Sequence, residues 1–219
     1  MTQNSNSQDR DKSSLLDKVN QLRHDLRKTD PTLLAEKAGA TFLPDQTNGG
    51  HFELDLWGKA IHLSYPELIA YYPNTQVETH LANQALLLYY LHTADGTQPT
   101  FRYIAFTELP DGMFYTQAFQ GYSGLELARV FKDNRDVFEQ AAQSTGGIKV
   151  EFGGVSYKFD LLPKVSLLVV FWQGDEDFPP SYRILFDAHS SHQMTTDACA
   201  ILGSTLTRNL IKSMPKNYN

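Results

Sequence analysis

The chain has 219 residues, 41% of them hydrophobic and 20% charged, with a formal net charge of −6. That composition is ordinary for a globular protein, and the length suits one core and one domain of about 200 residues. A mildly acidic chain repels phosphate, and the longest basic cluster, Arg23 to Lys28, is broken by His24, Asp25 and Leu26. Nucleic acid and anionic membranes are therefore not expected partners.

Cys199 is the single cysteine, so no intramolecular disulfide and no thiolate-built zinc or iron–sulfur site can form within one chain. One cysteine fits a reducing compartment. The N-terminal residues have no apolar core of a secretory signal. The longest apolar run, Val165 to Trp172, is far short of the ~20 residues of a membrane helix. A soluble, cytoplasmic protein is expected.

Residues 1–12 are polar and should be a disordered tail, leaving 13–219 as a single domain. Ser13 or Ser14 can cap a first helix carrying Leu15, Leu16, Val19, Leu22 and Leu26 at helical spacing. Asp30-Pro31 is an N-cap followed by a first-turn proline, and Gly39 suits the end of the short helix that follows. His51 to Trp57 alternates, with Phe52, Leu54 and Leu56 on one face, and Ile61 and Leu63 continue after Gly58-Lys59 as a hairpin. Pro66 opens a short helical turn, and Thr75 with Glu78 has the spacing of a capping box before a long apolar helix that Asp95-Gly96 stops.

Phe101–Phe106 and Met113–Phe119 read as strands around Asp111-Gly112. Leu125 to Phe138 reads as one helix, or two joined near Asp133-Asn134. Ile148 to Phe152 and Val155 to Phe159 alternate about the turn Gly153-Gly154. Val165 to Trp172 has the length and apolarity of a central strand buried on both faces, with Tyr182–Phe186 beside it. Thr195 caps a last helix through Leu210. This order lacks strict β–α–β alternation. It predicts an α+β fold with a mostly antiparallel sheet, a long central helix and a C-terminal helix.

No phosphate loop, dinucleotide fingerprint, zinc-protease helix motif, nucleophile elbow or EF-hand occurs. Two segments carry candidate ligands. The acidic turn Asp175-Glu176-Asp177 sets three carboxylates side by side, which invites a cation, although a charge run is more often a solvated loop. The loop Asp187-Ala188-His189-Ser190-Ser191-His192, with Asp197 following, offers imidazoles and carboxylates for a metal, although the same residues serve turns and caps. These two segments lie at opposite ends of one strand and cannot easily share a site. The histidines His62, His80 and His92 are scattered and read as structural or exposed, and Cys199 reads as a small core residue. Tyrosines such as Tyr65, Tyr71, Tyr72, Tyr89 and Tyr90 could line a pocket or edge the core.

Phe106-Thr107-Glu108-Leu109-Pro110-Asp111-Gly112, Phe119-Gln120-Gly121, and the run from Leu162-Pro163 through Trp172-Gln173-Gly174-Asp175-Glu176-Asp177-Phe178-Pro179 to Ile184-Leu185-Phe186-Asp187 together give the chain a family look. It resembles an uncharacterised domain-of-unknown-function family of small proteins, common in anaerobic bacteria and archaea, over roughly residues 75–212. The resemblance implies one domain and directs attention to the acidic turn, but it implies no activity. Some relatives carry an extra cysteine-rich, cluster-binding segment; this chain, with its polar tail and lone cysteine, departs from that pattern.

The sequence thus reads as a non-catalytic binding or accessory protein for a small ligand or a protein partner, with no cofactor assigned. One alternative is a metal-binding protein or metal-assisted enzyme on the Asp187, His189, His192 loop. The other is a dimeric interaction module.

Overall fold

Asp30 accepts a hydrogen bond from Thr32 N, Pro31 takes the first helical turn, and Gly39 closes the helix at φ 65°, so the expected short helix forms as read. The computed structural model describes residues 3–46, 49–73, 75 and 77–215, the side chains from Ser13 onward. The chain falls into two units, Met1–Thr97 and Gln98–Asn219.

In the first unit α1 spans Gln3–Leu26 and α2 Pro31–Ala38. The first helix therefore starts well before Ser13 and runs through the segment read as a tail, while Met1 and Thr2 lie outside the described residues. Five strands follow: β1 Thr41–Pro44, β2 Gly50–Leu56, β3 Lys59–Tyr65, β4 Ala70–Tyr72 and β5 Val77–Glu78. They pair in chain order as an antiparallel meander. Two local readings are corrected. Pro66 leads toward β4 rather than opening a helical turn, and Glu78 lies in β5 rather than capping a helix. The long helix α3, Leu81–Thr93, starts later, with His80 at its N-cap.

Phe52, Leu54, Leu56, Ile61, Leu63 and Ala70 are buried on one sheet face. Val19, Leu22 and Leu26 of α1 and Leu87, Leu88 and Leu91 of α3 are buried as well. Arg23 ties the helices to the sheet connection, donating from Nε to Leu68 O and from Nη2 to Gln84 Oε1.

In the second unit β6 spans Tyr103–Ala105 and runs into a 3-10 turn, Phe106–Glu108. Helices α4 Gly112–Gly121, α5 Gly124–Phe131 and α6 Arg135–Ser144 follow, then β7 Ile148–Val150, β8 Val155–Leu162, β9 Val165–Trp172 and β10 Ser181–Asp187, and finally α7 Thr196–Lys212. All neighbouring strands are antiparallel, in the order β6-β10-β9-β8-β7. The apolar run of β9 lies at the centre, buried from Val165 to Phe171.

Met113–Phe119 is helix, not strand. Its aromatic, β-prone composition is overridden because one side chain, Phe119, is drawn into the core: it stacks on Phe106 at 4.2 Å and meets Phe186 at 5.7 Å. Gly124 lets α5 approach β10 closely, since a Cβ there would lie 2.4 Å from Tyr182 O. The overall class is α+β, with two antiparallel sheets.

Candidate functional site

The structure sets the Asp187 carboxylate, 1% exposed, inside a closed ring of donors. Thr100 donates from its backbone N and its hydroxyl, and Phe101 N and His189 N donate as well. His189 Nδ1 lies 2.9 Å from Gln98 O, and the rings of His189 and His192 are 5.2 Å apart. Asp197 sits exposed in the first turn of α7, where Thr195 caps Ala198 N. In the acidic turn, Asp175 Oδ1 accepts from Asp177 N and Phe178 N, while Asp175, Glu176 and Asp177 are all exposed. Asp187, His189, His192 and Asp197 do not converge as a set of metal donors, and neither do the three carboxylates of the turn.

A different cluster does converge. Among the described residues, His51, Glu53 and His62 form the one set of three such side chains whose donor atoms all lie within 4.8 Å of one another. The hairpin places them. Trp57 and Gly58 both take positive φ, 56° and 67°, as a two-residue type I′ turn requires. That turn fixes the register Glu53↔His62 and His51↔Ser64. The alternation that buries Phe52, Leu54, Ile61 and Leu63 then sends His51, Glu53 and His62 to the opposite sheet face. Tyr71 of β4 pairs with His62 on that face, its ring edge-on at 5.8 Å.

The geometry is tight. His62 Nε2 lies 3.1 Å and His51 Nε2 3.5 Å from the same atom, Glu53 Oε1. The two imidazoles pack at 4.4 Å with a 32° tilt. His51 Nε2 is shielded from solvent and makes no hydrogen bond, a state that costs a buried polar atom about 1–3 kcal/mol. The side chains of His51, Glu53 and His62 keep 28%, 44% and 24% of their surface exposed, although His51 Nε2 itself is covered.

Two ionisable groups outside the cluster are strongly shifted by their surroundings. Burial opposes ionisation of Glu139, but hydrogen bonds from Lys149, Arg135 and Tyr157 outweigh it and hold its pKa down at about 2. Burial pushes the Cys199 thiol up to about 12, which leaves it inert beside α7's neighbours in the core.

Fold and cluster together define an α+β protein of two antiparallel meander-like sheets, with a histidine–carboxylate cluster on the first. The chain belongs to the DUF3786 family, a domain of unknown function, whose model matches residues 30–209. No match occurs among curated proteins or among solved structures. Among the described residues no helix is long and apolar enough to cross a membrane.

Proposed function

We propose that this chain is a metal-ion-binding protein and that His51, Glu53 and His62 hold the ion. The observation that carries this reading is the spacing of the donors. Metal–donor bonds of about 2.0–2.1 Å put neighbouring ligand atoms about 2.9 Å apart on an octahedral ion and about 3.3 Å apart on a tetrahedral one. The Nε2–Oε1 separations of 3.1 and 3.5 Å bracket the tetrahedral value. An ion would also satisfy His51 Nε2, which has no hydrogen-bond partner. Two imidazoles and one carboxylate suit borderline first-row divalent ions such as Zn²⁺, Fe²⁺ or Co²⁺, and fit poorly with Ca²⁺ or Mg²⁺, which prefer oxygen donors alone.

Calorimetric titration of chelator-treated protein with Zn²⁺ tests the reading. It expects one ion per chain, and a loss of affinity greater than about tenfold in His62→Ala, whose melting temperature is recorded alongside. Absence of stoichiometric binding, or equal binding by the variant, overturns it.

A second reading, a self-associating interaction module, is favoured by exposed apolar side chains on α4 and α5. Met113 is 72%, Phe114 82% and Leu125 64% exposed. Light scattering of the parent and of Phe114→Ser decides it: a parent dimer that the substitution dissociates supports self-association, and a parent monomer removes it.

A further inference from the structure

We infer that the ion held by His51, Glu53 and His62 keeps open positions on its solvent side and takes an anionic ligand there. This rests on the metal reading above and says what the site does with its ion.

Count and direction carry the argument. Three protein donors leave one position on a tetrahedral ion and three on an octahedral one. Among the described residues no fourth His, Cys, Asp or Glu joins the three. A site built only to hold structure closes its coordination shell with protein atoms; one that keeps a position free exchanges ligands. The free positions also share one side. Glu53 and His62 face each other across β2 and β3, and His51 stands two residues along β2, so all three rise from one sheet face. An ion held by donors from one face would have its remaining coordination sites on the side away from the sheet. All three side chains keep part of their surface exposed, Glu53 the most at 44%.

Charge selects the solute. A divalent ion with one carboxylate and two neutral imidazoles carries a net charge of about +1 in the site. An anion neutralises that charge, whereas a second cation or a neutral apolar molecule gains nothing from it. The ring of Tyr71 lies edge-on to His62 and flanks the cluster on the β4 side. The class is therefore an anion with an oxygen or nitrogen donor, bound directly to the metal.

Co²⁺ and azide make this measurable, because the visible d–d spectrum of Co²⁺ reports its coordination shell. The full chain is loaded with Co²⁺ and titrated with azide. The expected result is a saturable spectral change in the parent and its absence in His62→Ala. Co²⁺ bound at one ion per chain with a spectrum that azide does not alter overturns the open-site inference and leaves the metal reading standing. Failure to bind Co²⁺ overturns both. An azide-sensitive spectrum of equal amplitude in His62→Ala also overturns both, since the ion then sits elsewhere. Circular dichroism of the variant establishes that it is folded. Should it not be, His51→Gln, which removes a donor but keeps an amide at the same place, is read in its stead under the same criteria.

Discussion

Asp187 is the most informative residue to remove, because the sequence makes it a candidate ligand while its surroundings are those of a structural clasp. Its carboxylate receives four donors: Thr100 N, Thr100 Oγ1, Phe101 N and His189 N. Asp187→Ala strands three backbone N–H groups in a place where the native side chain is 1% exposed. Hydrogen bonds to a charged acceptor contribute about 1.5–3 kcal/mol each, and removal from a shared acceptor is not additive. The expected loss is about 3–5 kcal/mol. For a chain of this size, each kcal/mol moves the melting temperature by about 2–4 °C, so the variant should melt roughly 10 °C below the parent. Asp187→Asn keeps the shape and one acceptor oxygen and should fall about halfway. Differential scanning fluorimetry and urea titration read the stability, and calorimetry with Zn²⁺ reads binding by the folded fraction. A variant that melts within about 2 °C of the parent yet fails to bind the ion would refute the clasp and return the ligand role to the Asp187, His189, His192 loop.

Other consequences are open to simple measurement. Glu139 has its folded pKa lowered from 4.5 to about 2, so the stability it supplies is full above 4.5 and is lost as pH falls through the folded value. The slope of stability between pH 4.5 and 2 should accordingly flatten in Glu139→Gln, and an unchanged slope in urea titrations would remove Glu139 as its source. Gly124→Ala drives a Cβ to 2.4 Å from Tyr182 O and should cost about 1–3 kcal/mol by thermal denaturation. Cys199, buried and with its thiol pushed up to about 12, should react with iodoacetamide only after unfolding; rapid alkylation of native protein would contradict its placement. A single domain over 13–219 should unfold in one calorimetric transition, whereas two transitions would set a boundary near Thr97.

What was legible in the sequence follows from how local each determinant is. The α2 helix is legible because Asp30, Pro31 and Gly39 act within one turn of the backbone they shape. The central strand β9 was legible because eight consecutive residues, mostly apolar, have few other places to go. The stretch Met113–Phe119 misled because strand propensity reflects packing, and its packing depends on Phe106 and Phe186, one of them more than sixty residues away. The strands β1, β4 and β5 have four, three and two residues, too few for alternation to register. The α1 start is another case: the polar stretch before Ser13 offers no apolar face, yet the helix runs back to Gln3.

The cluster of His51, Glu53 and His62 lies in between, and the reason is arithmetic. In an antiparallel hairpin the numbers of facing residues have a constant sum. With the turn at Trp57 and Gly58 that sum makes Glu53 face His62, and His51 face Ser64. The alternation of Phe52, Leu54 and Leu56 already assigns His51 and Glu53 to one face. Both premises were present in the residues: an apolar alternation on each arm and a glycine at the turn. What was missing was the turn's length, because a Gly58-Lys59 turn would have faced Glu53 with Ser64 and separated the donors. Only positive φ at Trp57, an unfavourable place for a bulky side chain, shifts the turn by one residue. The site therefore depends on a backbone conformation that tryptophan does not advertise. Trp57→Asn, which favours the type I′ turn, should preserve both the hairpin and ion binding. A deletion within the turn that changes the register by one residue should keep a sheet but abolish binding.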